Sequence, residues 1–306
     1  MEDKMPSVLW TGKLSFLSKL LVNFGNAIAW ATGYTKNVDA MKKRTEKGYS
    51  GALTDDIANY DKLGLKHYSK ISEALLYGKS FMGKTVLDVG CGTGVSAFIV
   101  LKHGAQKVVC GDISEYMLNK CENKAEELGY NNGQIEYIKL DSDSLPFEND
   151  SFDIVISSML LGLVPNQEKV IKEMVRVLKP EGMINIATHG PGLYQEAIET
   201  ALWTLPKLPA LGYRLEYWPR DERYLEQVFR ELKLDYISTR RITWKESFKS
   251  GLAAYDFFAS TSSAWWYSVY APDKRKKVIQ KVRNAFTKKG VREITSDIVI
   301  ASGRKA

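Results

Sequence analysis

Val86-Leu87-Asp88-Val89-Gly90-Cys91-Gly92-Thr93-Gly94 is the stretch that decides how this chain folds. A short apolar run ends in an acid, and three glycines then alternate with small residues. The apolar run predicts a buried parallel strand. The glycines predict a turn in which the main chain comes very close to a ligand, because glycine tolerates φ > 0 and puts no Cβ in the way. Residues 95–103 are mostly apolar and read as a helix whose first N–H groups face that ligand. Strand, turn and helix together predict a nucleotide-type site.

Working outward, the same alternation recurs. Lys107-Val108-Val109-Cys110-Gly111-Asp112 reads as a second strand ending in an acid, placed where a carboxylate can accept both hydroxyls of a ribose. A third strand, 135–140, runs into Asp141-Ser142-Asp143-Ser144-Leu145-Pro146-Phe147. Residues 152–157 and 183–188 read as strands four and five. Such alternation predicts a parallel sheet with helices on both faces. After strand five the pattern loosens. Residues 190–219 read as a partly irregular insertion, 223–233 as a helix, 235–244 as a strand and 293–301 as the last strand. The stretch between those two strands is helical and aromatic, with Tyr255, Phe257, Phe258, Trp265, Trp266, Tyr267 and Tyr270.

A dinucleotide site requires G-x-G-x-x-G. Here the third glycine is Gly94, one place early, and Val95 follows it, which argues against an NAD-dependent oxidoreductase. The pattern D-x-G-x-G-x-G instead resembles the first motif of the Rossmann-like S-adenosylmethionine-dependent methyltransferases, close to the type 11 and quinone-biosynthesis members. Asp112-Ile113-Ser114-Glu115-Tyr116-Met117-Leu118, the turn 141–147 and Val177-Leu178-Lys179-Pro180-Glu181-Gly182 resemble later motifs of that family, in the same order. The resemblance is close over residues 55–189 and looser over 220–304. It implies an α/β fold: a Rossmann-like doubly wound sheet, mostly parallel with an antiparallel last strand. N-terminal helices and a helical insertion before the last strand complete it.

The resemblance also implies the cofactor, S-adenosyl-L-methionine, and its contacts. Asp88 and the turn Gly90, Cys91, Gly92, Thr93 and Gly94 would hold it, and Asp112 would take the ribose. Ile113 would flank the adenine, with Met117 nearby. Asp141 would accept from the adenine amino group while the Ser142 amide meets the ring. Ser157 at the end of strand four and Tyr60, in a segment that closes over the cofactor, complete the set. Read without the family, Asp88 is also a strand-end acid, Asp112 a helix N-cap, Asp141 ordinary turn chemistry and Tyr60 a core aromatic.

The implied reaction is in-line methyl transfer to a small-molecule acceptor, in which the protein supplies alignment and desolvation. A phenol, enol or protonated amine acceptor would also need a base. Of the three histidines, His189 directly follows strand five and is the candidate, although it reads equally as a turn residue before Gly190-Pro191-Gly192. His67 and His103 read as structural. No metal site is expected: Cys91, Cys110 and Cys121 form no C-x-x-C pair and read as small buried side chains. Their number and spacing fit a reducing, cytoplasmic compartment.

With 306 residues, 44% hydrophobic and 26% charged, the chain can build a sizeable core. The expected organisation is an N-terminal extension, 1–50, and a methyltransferase domain, 51–306, with cap insertions at about 190–219 and 245–290. Their aromatic density suggests an apolar, aromatic or cationic acceptor, or a small helical core. The net charge is +7, but the basic residues are scattered, and Lys42-Lys43-Arg44 and 274–277 read as solvated helix faces. Ser157-Ser158-Met159-Leu160 lacks the N/D-P-P-Y type motif of base-amine methyltransferases, so no nucleic-acid partner is expected.

No run reaches the roughly 20 apolar residues that a membrane span requires. Trp10, Leu14, Leu17, Leu21, Phe24 and Ile28 recur at helical spacing and predict an amphipathic helix within 8–34. Lys13 and Lys19 interrupt what would otherwise resemble a signal-peptide core. The helix reads as packed on the protein itself, as a dimer contact, or as a peripheral membrane contact. The last reading makes a lipid or isoprenoid quinone the alternative acceptor. A cofactor-binding protein without catalysis is the remaining alternative.

Overall fold

The computed structural model describes residues 14–31, 38–50, 60–130, 133–204, 220–263 and 272–306. Three helices, α1 (Phe16–Ala31), α2 (Val38–Gly48) and α3 (Tyr60–Leu76), precede the sheet. Then β1 (Thr85–Val89), α4 (Val95–Lys102), β2 (Lys107–Asp112), α5 (Glu115–Glu127), β3 (Ile135–Lys139) and β4 (Phe152–Ser158) follow in turn. Next come α6 (Gln167–Arg176), β5 (Leu178–His189), α7 (Gln195–Thr204), α8 (Glu222–Glu231) and β6 (Leu234–Ser247). The chain closes with α9 (Gly251–Phe258), α10 (Pro272–Lys289) and β7 (Glu293–Lys305).

The sheet has seven strands in the order β3-β2-β1-β4-β5-β7-β6. β1 pairs in parallel with β2 and β4, β2 with β3, and β4 with β5, and the last strands are antiparallel. The strand order reverses at β1, the topological switch point where open α/β sheets bind ligands outside their carboxyl ends. Flanked on both edges and covered on both faces, β1 buries Val86, Leu87 and Val89 completely. That is why its apolar run is continuous rather than alternating.

The chain divides into two compact units. One comprises 64–188, 220–242 and 298–306. Its core gathers Leu87, Val89, Val155, Ile184, Ile186 and Val299 from the sheet with Val170, Ile171 and Met174 of α6. Those three lie on one stripe of α6, and each contributes roughly 1.5–3 kcal/mol by leaving water. Helix starts here carry side-chain caps: Ser114 accepts the Met117 N–H, Asn166 that of Lys169 and Asp221 that of Tyr224. Each such cap contributes about 1 kcal/mol.

The other unit comprises 1–63, 189–219 and 243–297. Its core is aromatic. Tyr194 meets Phe257 and Phe258 edge-on at 5.9 and 6.1 Å, and Phe258 stacks on Phe286 at 5.7 Å. Tyr255 meets Phe286 edge-on at 5.6 Å. Tyr255, Phe257 and Phe258 are buried in this packing, so of the two readings of the aromatic stretch these residues follow the helical core. Trp265, Trp266, Tyr267 and Tyr270 lie outside the described residues.

Several elements differ from their sequence expectations. The apolar stripe expected within 8–34 is split: Leu14, just before α1, is buried, whereas Leu17 and Phe24 on the helix are 61% and 64% exposed. The helix docks instead by a polar edge, where the Ser15 and Ser18 hydroxyls donate to Glu199 of α7 at 2.6 and 2.5 Å and Trp203 donates to Ser18 at 2.8 Å. Helix α7 lies inside the stretch expected to be irregular. β5 begins at Leu178, five residues early, because Leu178 pairs with Phe152 across a register shift; the Pro and Gly of that stretch suggested a turn. β6, expected over 235–244, runs over Leu234–Ser247 as an edge strand with exposed Arg240, Arg241 and Lys245, charges that discourage pairing with another chain. Among the described residues no helix is long and apolar enough to cross a membrane.

Candidate functional site

The turn after β1 is built from three left-handed glycines: Gly90 at φ +74°, Gly92 at +54° and Gly94 at +86°. Any L side chain at these angles is strained. Space is also missing, since a Cβ on Gly90 would stand 3.0 Å from Leu160. The amides of Gly90 and Cys91 both donate to the Gly111 carbonyl at 2.7 and 3.1 Å, which pins the turn to β2. Gly94 caps α4 without a side-chain bond, so the first N–H groups of that helix keep their polarity for a ligand.

Acids stand on both sides of the turn. Asp88 is 1% exposed, and neither carboxylate oxygen has a hydrogen-bond partner among the described residues. Burial pushes its pKa well above the usual carboxylate range; Cys121 and Asp112 push the same way, and the Ala97 amide opposes them. Asp112 accepts the Gly92 N–H and the Ser114 N–H, each at 2.9 Å. Burial raises its pKa as well, partly offset by those two amides. The cap of α5 is Ser114, so Asp112 is released from the N-cap role. Ile113 is half-buried beside it and Met117 is buried.

Asp141 accepts the Asp143 N–H at 3.0 Å, and its carbonyl accepts the Ser144 N–H at 3.0 Å. Ser142 is half-buried in this turn. Ser157 is fully buried, and its hydroxyl donates to the Val89 carbonyl at 2.8 Å, tying β4 to β1 directly before the glycine turn. Thr93 accepts from the Lys124 ammonium of α5 at 3.1 Å. Cys91 is buried within the turn. These residues share one unit. The side chain of Tyr60 lies outside the described residues.

His189 belongs to the other unit, as the last residue of β5, and is buried. The loop after it is moulded around Asp297. The Gly192 N–H donates to Asp297 Oδ2 at 2.6 Å, the Gly190 N–H to its carbonyl at 2.8 Å and the Thr243 hydroxyl to Oδ1 at 3.3 Å. A Cβ on Gly190 would stand 2.7 Å from Asp297 Oδ1, and one on Gly192 2.7 Å from Oδ2. The glycines of Gly190-Pro191-Gly192 are thus explained by a buried carboxylate that spacing alone did not reveal.

Sequence reading missed other residues too. Glu173 and Arg176 of α6 hold the turn 141–147 in place. Glu173 accepts the Leu145 N–H at 2.9 Å, and Arg176 donates to the carbonyls of Leu145 and Phe147 while pairing with Glu173 at 2.8 Å. Asn185 and Thr188 are buried on β5 with side-chain polar atoms that have no partner among the described residues. The available signal was two polar residues in an otherwise apolar strand. Met159 directly follows β4, is buried and holds φ +65°, the kind of backbone strain that clusters at functional sites.

A turn of left-handed glycines that admits main chain close to a ligand, with one acceptor carboxylate on either side, fits S-adenosylmethionine. The methyltransferase domain family matches residues 87–186. The chain is 31% identical over 176 residues to the demethylmenaquinone methyltransferase of Clavibacter sepedonicus, covering 53% of this chain and 69% of that protein. It belongs to the class I S-adenosylmethionine-dependent methyltransferases. A second relative, the biotin biosynthesis bifunctional protein BioHC of Teredinibacter turnerae, is 33% identical over 158 residues, which cover 49% of this chain and 27% of that protein. The methyltransferase fold extends to a solved structure, Haemonchus contortus phospholethanolamine N-methyltransferase 2 in complex with phosphomonomethylethanolamine and S-adenosylhomocysteine. There the TM-score is 0.55 at 14% identity, over 85% of this chain and 59% of that one.

Proposed function

We propose that this chain transfers the methyl group of S-adenosylmethionine to a small-molecule acceptor. The observation that carries the reading is the turn of three left-handed glycines held between Asp88 and Asp112 at the ends of paired strands. The bound cofactor supplies a methyl group already activated on a sulfonium. The protein's work is alignment and exclusion of water.

Asp112 has about four lone-pair sites, as any carboxylate does, and the two backbone amides occupy two. Those that remain accept the ribose hydroxyls. The carboxyl of Asp88, whose burial only the Ala97 amide offsets, accepts from donors of the ligand that lies along Gly90, Cys91, Gly92, Thr93 and Gly94. Ile113 and Met117 flank the adenine, and Asp141 with the Ser142 amide takes its polar edge. Ser157 shapes the floor through Val89. His189 accepts the proton where the acceptor must lose one.

One observation favours a second reading, a lipid or isoprenoid quinone acceptor reached at a membrane surface. On α1, Phe16, Leu17, Leu20 and Phe24 are 74%, 61%, 51% and 64% exposed beside Lys19. An apolar strip with a basic residue at its edge suits the interface plane of a bilayer.

The test uses methyl-labelled S-adenosylmethionine with a whole-cell extract, separated into organic, aqueous and macromolecular fractions. Label in the aqueous fraction supports the first reading, and label in the organic fraction supports the second. Label confined to macromolecules overturns both. Asp112→Ala is expected to weaken S-adenosylhomocysteine binding about 10- to 100-fold, the loss of hydrogen bonds to a charged group. Unchanged affinity would remove the ribose assignment.

A further inference from the structure

Cys91, Cys110 and Cys121 are the only cysteines in the sequence, and they come from three different elements: the glycine turn, β2 and α5. Their spacing along the chain resembles no metal motif. In the fold their sulfur atoms all lie within 4.8 Å of one another. Cys110 and Cys121 are 4.0 Å apart at sulfur. All three side chains are buried, and none is in a disulfide. The Cys121 thiol donates a weak hydrogen bond to Cys110 across that distance, but one such bond does not by itself require sulfurs from three separate elements to meet at one point.

Geometry says what would fit between them. Sulfur ligands lie about 2.3 Å from a d10 metal ion, so three of them in a plane around one ion stand about 4 Å apart. Cys110 and Cys121 stand at that value, and no pair of the three exceeds 4.8 Å. Among the described residues no histidine or carboxylate joins the group, so the donor set is three sulfurs without a fourth ligand. Soft thiolates select soft ions, and three thiolates without a fourth ligand suit copper(I) better than tetrahedral zinc.

We propose that Cys91, Cys110 and Cys121 form a three-coordinate site for one copper(I) ion. Binding forms three copper–sulfur bonds, and the thiol protons leave to solvent; no electron is transferred. Entry is through the turn, where Cys91 retains slight exposure. The site is independent of the acceptor and of whether the chain catalyses methyl transfer.

The experiment takes the full chain, reduced and anaerobic, and titrates it with copper(I) buffered by a chromophoric chelator. Wild type is expected to draw one equivalent from the chelator and to develop thiolate-to-copper charge-transfer absorbance. Cys91→Ser, Cys110→Ser and Cys121→Ser should each lower the affinity at least tenfold. Far-ultraviolet circular dichroism identifies any variant that fails to fold. Cys91→Ser, in the turn rather than in strand or helix, is the variant expected to keep the fold if the others do not. No captured copper, or capture that survives the Cys91 substitution, overturns the proposal. Zinc(II) bound as one equivalent and more tightly than copper(I) overturns it as well, because zinc would need a fourth ligand.

Discussion

The sulfur of Cys121 lies 2.5 Å from where a Cβ on Gly94 would stand, and the ring of Phe98 lies 2.7 Å from the same point. Gly94 therefore answers two demands at once, a left-handed backbone and a close approach from α5. Gly94→Ala should cost about 1–2 kcal/mol for the backbone and roughly 1–3 kcal/mol more for overpacking. Urea unfolding of Gly94→Ala, of Cys121→Ala and of the double variant would separate the two. The double variant should recover the part of the packing share that comes from Cys121, but neither the part that comes from Phe98 nor the backbone share. A Gly94→Ala protein as stable as wild type would contradict the packing.

Asp88 makes stability and binding oppose each other. Its folded pKa is raised above the ordinary 3.8 by burial. Between that ordinary value and the folded one, the native chain holds a proton that the unfolded chain has lost. The contribution is therefore fully present below pH 3.8 and is lost as pH rises through the folded pKa. Asp88→Asn removes that slope. Its urea midpoint should exceed wild type by more at pH 8 than at pH 5, while affinity for S-adenosylhomocysteine falls by about tenfold, one charged hydrogen bond. Parallel midpoints at the two pH values would count against a raised pKa.

Glu173 behaves in the opposite sense. The Arg176 hydrogen bonds hold its pKa below the usual 4.5, with the Leu145 amide assisting and burial opposing. Its contribution is present above pH 4.5 and is lost as pH falls through the lowered value. Glu173→Gln should cost about 1 kcal/mol at pH 7, discounted for partial exposure, and almost nothing near pH 3. Because Glu173 carries the Leu145 amide, cofactor affinity should fall with it. Isothermal titration and denaturation at the two pH values would show whether both losses appear.

Asp297 holds the loop that begins at His189. Asp297→Ala leaves the buried Gly192 amide without its acceptor, at about 1–3 kcal/mol, whereas the exposed Thr243 hydroxyl can turn to water. Asp297→Asn keeps one acceptor and should lose about half as much. Methyl transfer to an acceptor that needs a base should slow in both, in the same order. Equal stability of the alanine variant and wild type would remove Asp297 as the anchor of that loop.

Reading the sequence succeeded where structure is set by neighbours along the chain. The run Val86–Val89 is apolar throughout because β1 is enclosed on every side, and the three glycines announce φ > 0 within five residues. The ends of β5 and β6 were less readable. β5 gains its first residues by pairing Leu178 with Phe152, and β6, at the sheet edge, needs no apolar pattern to persist.

What the amino-acid order by itself determined was therefore the strand–turn–helix unit and its acids, because steric limits on φ and burial of short strands act locally; the cofactor class came with the family resemblance that those motifs carry. Tertiary structure alone decided which groups meet across the chain. Asp297 reaches Gly192 over 105 positions and Glu199 chooses the docking edge of α1 over 181; three cysteines spread from 91 to 121 converge at sulfur. Periodicity tells that a helix has two faces, but the face that turns inward is chosen by the partner that satisfies its hydrogen bonds. Such choices are made by sheet register and helix packing, which no spacing along a single segment encodes.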